Sequence, residues 1–280
     1  MKKVLIVGTG SYIGESFAAY TDTHFEIKTI STIDGSWEAF DYTGYDSVLH
    51  CAGIAHVPQK RNIRDLYYYV NCDLAVNVAK KAKEAGVRQF VFLSSMAVYG
   101  NKVAEITPST LTAPQDFYGG SKLMAEQQLQ ALVTPDFKLC IVRPPMVYGY
   151  NCKGNFPRLV NWVMRLPVFP DVCNKRSMIY IDNLCACLRL LIDSDADGIH
   201  LPQNKEHVNT TELVKLIAAF NGKKIVTTKA LRPLAYIGGK LSQQLNKVFG
   251  SLYYTNTGCE DSYNVVDFED SIRLSLQTRM

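Results

Sequence analysis

The sequence predicts an α/β fold, a doubly wound parallel sheet followed by a smaller mixed α/β C-terminal lobe. Three observations predict it. Short continuous apolar runs alternate with helix-period segments through the first 150 residues, the pattern of strands buried on both faces and joined by crossover helices. The first run opens onto a glycine-rich turn, GTGSYIG, that leads into a helical segment. Beyond Tyr150 the alternation gives way to helices separated by short breaks. The expected division is therefore residues 1–150 for the sheet domain, with a segment at about 176–198 returning to it, and 151–280 for the second lobe.

Taken in order, Val4–Val7 is a buried strand, and the Gly8–Gly14 loop after it feeds a helix over Glu15–Tyr20. Phe25–Ile30 is the second strand and ends near Ser31, and Ser47–Cys51 is the third, closing at Ala52-Gly53. Asp65–Ala85 has helical periodicity, with Leu66, Val70, Leu74, Val78 and Ala82 on one face and a stop at Gly86. QFVFLSS is a strand, SKLMAEQQLQAL a helix and KLCIVRPP a strand. Later, Asn155–Arg165 and Asp182–Ile192 read as helices. Asn209 with Glu212 forms a capping box for another, and Phe268–Leu276 is the last.

Composition narrows the function classes. With 47% apolar and 20% charged residues, the chain is an ordinary soluble globular protein. Its net charge of +4 comes without a basic tract, since Lys80, Lys81 and Lys83 fit a solvated helix face; a nucleic-acid partner is not expected. Among eight cysteines, Cys51, Cys72, Cys140, Cys185 and Cys187 sit in apolar segments as small hydrophobes, and no CxxC pair or Cys/His cluster suggests a metal. No apolar run reaches the ~18 residues of a membrane span, and the four apolar residues before Gly8 are too few for a signal core. The expectation is a reduced, cytoplasmic protein with no integral membrane segment.

Two motifs carry chemistry. In GTGSYIG, Gly8, Gly10 and Gly14 lie between strand and helix, where backbone N–H groups and the helix dipole hold a pyrophosphate. Ser11 replaces a glycine of GxxGxxG, and by itself the motif is equally a tight turn. In YGGSK, Tyr118 and Lys122 stand four apart on one helical face. A lysine ammonium beside a phenol is expected to lower the phenol's pKa, which lets the pair move a proton to or from a sugar hydroxyl while a nicotinamide moves a hydride.

GTGSYIG, HCAG, VNCDLA, FVFLSSMAVYG, YGGSK, RPPMVYG and RSMIYIDNL occur in the order and spacing of the extended short-chain dehydrogenases/reductases. The chain resembles their nucleotide-sugar epimerase, dehydratase and reductase branch, UDP-glucose 4-epimerases among them, from Lys3 to about Leu191. The resemblance implies a Rossmann sheet. It implies Ser95 as the hydroxyl that fixes the reacting oxygen, Tyr118 as acid/base, and Lys122 as holder of the nicotinamide ribose. It places Gly8, Ser11, Tyr12, Ile13 and Gly14 around the pyrophosphate, Cys51, Ala52 and Gly53 near the adenosine side, Asn71 among the central strands, and Pro144 and Pro145 beside the nicotinamide. On the substrate side it implies Ser95, Met96, Asn155 and Arg176, the last two meeting the diphosphate of a UDP- or dTDP-sugar. Met146 stands where many epimerases have asparagine, so contact from that position is in doubt.

The cofactor is NAD or NADP. The second strand ends at Ser31 with Thr32 beside it and no carboxylate for a ribose 2′-hydroxyl; Asp34 caps a turn with Gly35, and Lys28 offers charge to a 2′-phosphate. This tilts toward NADP and leaves the choice open. Met96 and Ala97 follow Ser95 where 4,6-dehydratases carry an acid/base pair, which argues against dehydration. A 4-epimerase acting through a transient 4-keto sugar, in surface-polysaccharide precursor synthesis, is ranked first. An NADPH-dependent 4-ketosugar reductase is the alternative, and a catalytically silent cofactor-binding protein comes last. The helices Asp65–Ala85 and Ser121–Val133 resemble a pair used for dimer contacts, although Leu123, Leu129 and Leu132 also suit a core. ALRPLAYIGGKLSQQLNKVFGSLYY is an amphipathic, somewhat basic helix pattern, expected as a lid or lobe wall over the sugar, with a peripheral membrane contact as the other reading.

Overall fold

The computed structural model describes residues 1–55, 63–255 and 260–277 of the chain. Two compact units make it up, one of residues 1–101, 111–145 and 181–202, the other of 102–110, 146–180 and 203–280.

The first unit is built on a six-stranded, all-parallel sheet. Its strands are β1 (Lys3–Val7), β2 (Glu26–Ile30), β3 (Ser47–His50), β4 (Gln89–Leu93), β5 (Lys138–Val142) and β6 (Gly198–His200), in the order β6-β5-β4-β3-β1-β2. Winding reverses between β1 and β3, and open α/β sheets bind ligands at the carboxyl ends of strands at such a point. The apolar runs lie where double-sided burial requires them: Val4–Val7, Val48, Leu49 and Phe90–Phe92 are all buried. β6 was not anticipated. It is three residues long with Gly198 and Ile199 exposed, so it has no apolar run to read.

The loop ends at the reversal are tied together. Gly8 and Thr9 N–H both donate to the Ile30 carbonyl, and Cys51 and Ala52 N–H both donate to the Val7 carbonyl. Gly8 has φ +127°, and a Cβ on it would lie 2.6 Å from the Ala52 nitrogen. Glycine is therefore required where the ends of β1 and β3 converge.

The expected helix over Asp65–Ala85 is observed as Arg64–Tyr68, a π turn at Tyr69–Asp73, and Leu74–Glu84. The π turn inserts one residue into the ladder and shifts the helix phase by about 100°. Leu74, Val78 and Ala82 face the core as expected, whereas ahead of the turn Leu66 is exposed and Tyr67 is buried in its place.

In the second unit, three two-stranded parallel pairs support the helices: Met146–Tyr148 with Met178–Tyr180, Val168–Pro170 with Val226–Thr228, and Glu105–Ile106 with Tyr253–Tyr254. Tyr148 is fully buried; it receives a 2.8 Å hydrogen bond from Asn204 and shares one with Ser271 of the Phe268–Leu276 helix. Asn209 caps the Thr210–Phe220 helix by accepting from the Thr211 and Glu212 N–H groups.

The division departs from the expected boundary at 150 in three places. The exchange falls at Pro145/Met146, because Pro144 and Pro145 cannot continue the β5 ladder and Met146 opens a strand of the second unit. The returning segment is 181–202, not 176–198, since 178–180 pairs with 146–148. Residues 102–110 join the second unit because 105–106 pairs with 253–254.

Gly8→Ala is expected to lower stability by about 3 kcal/mol through backbone collision and strain. Gly10→Ala, with φ +77° but nothing within 4 Å of a new Cβ, should cost only about 1–2 kcal/mol. Urea denaturation of the two variants reads the difference.

Candidate active site

The candidate catalytic residues all belong to the first unit. The Phe117–Gln130 helix begins at Asp116, whose carboxylate accepts the Gly119 N–H at 2.8 Å. Tyr118 and Lys122 occupy its first turns. Ser95 follows β4 and caps the short helical turn Met96–Tyr99, its hydroxyl accepting the Ala97 N–H. Close approach of these two elements rests on glycine, since a Cβ on Gly119 would lie 2.6 Å from the Ala97 carbonyl oxygen.

Lys122 is buried; its ammonium donates to the Leu93 carbonyl at 2.7 Å and lies 4.7 Å from the centre of the Phe92 ring. Burial lowers its pKa to about 8. Tyr118 departs from expectation. Its phenol pKa is raised, because burial outweighs the hydrogen bond from Ser95 that favours the phenolate. The balance favours the neutral phenol of Tyr118 in the protein alone.

Asn71 sits in the π turn. It accepts from the Ile54 N–H at 2.8 Å, donates to the Ile54 carbonyl, and donates to Ser121 beside Lys122 at 3.0 Å. It thus joins the loop after β3 to the Tyr118 helix. A Cβ on Gly53 would lie 3.0 Å from Asn71 Oδ1 and 3.3 Å from Lys122 Nζ. Glycine keeps a cradle open there, next to a lysine ammonium.

The loop at β1 has Ser11 as N-cap of the Tyr12–Tyr20 helix, its hydroxyl accepting from Gly14. Gly14 packs on β1 and β3, where a Cβ would come within 3.1 Å of Ile6 and 3.4 Å of Cys51. Tyr12 and Ile13 form the first helical turn, whose N–H groups face the loop as in any helix start. With Cys51, Ala52 and Gly53 next to Gly8, the donors and glycines fit a dinucleotide pyrophosphate. At the end of β2, Ser31 accepts the Ile33 N–H and Asp34 accepts the Ser36 N–H; the Ser36 hydroxyl first, and its N–H second, lower the Asp34 pKa. Asp34 is thereby held in a turn with Ser36.

One network was not visible in the sequence. Arg143, at the end of β5, makes a bidentate pair with Glu126, Nε–Oε1 2.9 Å and Nη2–Oε2 2.5 Å, and donates to Tyr99 at 2.6 Å. Ser94 also donates to Glu126. Met96 N–H bonds the Pro144 carbonyl, and Ser94 N–H bonds that of Val142. The Met96 side chain is itself buried. The segment carrying Ser95 is thus held to both β5 and the Tyr118 helix. Glu126 lies four residues beyond Lys122, but nothing in sequence spacing pairs it with Arg143.

Asn155 and Arg176 belong to the second unit, where they line one small cavity with Met146, Met178, Val208 and Lys247. The Arg176 backbone bridges Val208 in both directions. Its Nη1 donates to the Gly250 carbonyl at 2.8 Å, while Nε is buried without a hydrogen-bond partner. Burial lowers its pKa to about 10. No carboxylate within ion-pair reach is found among the described residues. A buried guanidinium left in this state suits an anionic ligand.

Gly119→Ala is expected to reduce turnover at least ten-fold, because the new Cβ meets backbone. Gly120→Ala meets only the Tyr68 hydroxyl, at 2.8 Å, and should keep most activity. Steady-state assays on the pair compare them. Glu126→Ala, which removes the carboxylate from the buried Arg143 guanidinium, should cost about 3–5 kcal/mol. The double change Glu126→Leu with Arg143→Met should recover much of that loss in thermal unfolding.

The description "NAD dependent epimerase/dehydratase family" matches residues 4–209. The chain is 37% identical over 182 residues to the UDP-glucose 4-epimerase of Vibrio cholerae, covering 61% of this chain and 56% of that one, so it spans little more than half of that relative. It is 25% identical over 272 residues to the N-acetyl-alpha-D-glucosaminyl-diphospho-ditrans,octacis-undecaprenol 4-epimerase of Escherichia coli O157:H7, covering 89% and 82%. Similar solved structures include UDP-glucuronic acid 4-epimerase from Bacillus cereus with NAD (TM-score 0.75, 16% identity, 98% and 94% covered). Another is dTDP-4-dehydrorhamnose reductase from Bacillus anthracis with NADP (TM-score 0.75, 19%, 99% and 100%). The last two share the fold. With three quarters of its length matched, the chain belongs to the NAD dependent epimerase/dehydratase family.

Proposed function

We propose that the protein is an NAD(P)-dependent 4-epimerase of diphosphate-linked sugars. The observation that carries this is the constellation of Ser95, Tyr118 and Lys122 behind the Gly53 cradle. A nicotinamide cofactor, when bound, supplies hydride acceptance and return. Ser95 orients the C4 oxygen of the sugar, Tyr118 takes its proton and later gives one back, and Lys122 holds the ribose and supplies positive charge. Gly8–Gly14 with Cys51, Ala52 and Gly53 cradle the cofactor, and Pro144 and Pro145 flank it. In the second unit, Arg176 and Asn155 are proposed as anchors for a sugar diphosphate, with UDP- or dTDP-sugars as the first substrates to try. The similarity to two 4-epimerases supports the reaction class. Met96 and Ala97 cannot transfer protons, which argues against dehydration.

A second reading, an NADPH-dependent 4-ketosugar reductase, draws on one observation. The end of β2 has no free carboxylate for a ribose 2′-hydroxyl, since Asp34 is engaged with Ser36. We further propose a cytoplasmic homodimer. Leu66, Tyr69 and Met124 leave apolar surface on the Arg64–Glu84 and Phe117–Gln130 helices, whereas Leu129 is core. Among the described residues, no helix is long and apolar enough to cross a membrane.

Protein purified without added cofactor, denatured and examined by mass spectrometry is expected to release stoichiometric NAD. Protein that emerges empty yet binds NADPH moves the assignment to the reductase. Tyr118→Phe should lose turnover by at least a thousand-fold while keeping its fold and cofactor affinity; unchanged turnover would remove Tyr118 from the mechanism.

A further inference from the structure

The segment expected as a wall over the sugar forms two helices in the second unit, Arg232–Leu241 and Gln243–Phe249. They pack closely: a Cβ on Gly238 would lie 2.9 Å from Leu245. Ala235 faces inward, and Arg232 is tied to Asp171. The other side of the first helix is open. Leu234, Ile237 and Leu241 follow the i, i+3, i+7 spacing of one helical stripe. They are 70%, 56% and 82% exposed, and Tyr236 beside them is 66% exposed with Lys240 over its ring. Among the described residues, nothing in the unit covers this stripe.

The charge around the stripe is one-sided. Between Glu212 and Glu260 the sequence holds seven lysines and arginines and no carboxylate. Lys224, Lys229, Lys240 and Lys247 are exposed, and none of them forms an ion pair among the described residues. Aliphatic side chains with a tyrosine, set among lysines in a segment that itself carries no acid, have the composition of helices that lie in a membrane interface. The apolar side chains enter the acyl boundary, and the cations meet anionic headgroups.

We propose that the Arg232–Leu241 helix docks the second unit on an anionic phospholipid bilayer. The helix has ten residues, so it lies on the bilayer and does not span it. Docking of this kind is reversible and salt-sensitive, and it would bring the Arg176 cavity to the same surface that carries lipid-linked diphosphates. The docking itself does not depend on the proposed sugar chemistry.

The test is co-sedimentation of the full chain with vesicles of phosphatidylcholine alone or mixed with phosphatidylglycerol. Binding should be at least ten-fold stronger to the mixed vesicles, and 0.5 M salt should reduce it by a similar factor. Leu234→Ser/Ile237→Ser/Leu241→Ser should lose at least ten-fold in vesicle binding, with an unchanged melting temperature and unchanged turnover of soluble sugar nucleotide. Lys229→Gln/Lys240→Gln should remove the preference for the anionic lipid. Failure of the wild type to sediment with either vesicle overturns the proposal, as does a triple variant that binds like wild type. A light-scattering dimer that the triple variant abolishes, without vesicle binding, reassigns the face to self-association and also overturns it.

Discussion

Glu126 accepts from Arg143 and Ser94 inside the first unit, with 8% of the Arg143 and 5% of the Glu126 side chain exposed. A buried pair of this kind adds little net stability compared with apolar residues of the same shape, because desolvation cancels most of its attraction. What it adds is discrimination between positions. The carboxylate is on the Tyr118 helix, the guanidinium ends β5, and Ser94 precedes Ser95. Any displacement of one element leaves an ion or hydroxyl buried without a partner. Gly119 sets how near the helix comes to the Ser95 segment, and Glu126 penalises every other distance. The approach of the Tyr118 helix to the Ser95 segment depends on both.

The same packing explains the electrostatics of the site. Lys122 is buried and Tyr118 half-buried, and desolvation shifts each toward its neutral form, the phenol upward and the ammonium to about 8. The spacing YxxxK suggests a lysine that acidifies its tyrosine, but in the folded chain the ammonium is directed to the Leu93 carbonyl and burial prevails. Desolvation therefore favours the phenol, and the proton-accepting role proposed for Tyr118 requires positive charge brought close to it.

Legibility in the sequence followed the length and periodicity of each signal. Buried strands such as Val4–Val7 and Phe90–Leu93 were plain, because apolar runs between turns have few other uses. The glycine loop and the Tyr118–Lys122 pair were local patterns that by themselves fit a tight turn and a surface pair, and they gained meaning only from the motifs around them. The phase slip at Tyr69–Asp73 was hidden, since a π turn changes which residues face inward without changing the composition. β6 was hidden by its brevity. The Glu126–Arg143 pair was hidden because it is made by the packing of helix on sheet, and a sequence records that only indirectly. Arg176 was legible through its flanking motif; its unpartnered Nε became visible only with the cavity around it.

The interleaving of the two units has a consequence for how the protein is made. The second unit needs residues 102–110, 146–180 and 203–280, and the first cannot complete its sheet until β6 at 198–200 has been synthesised. A nascent chain therefore holds β1 to β5 with an open edge while residues 143–197 are made, and long-range pairings of this kind close slowly. Neither unit can be released by a single cut in the chain.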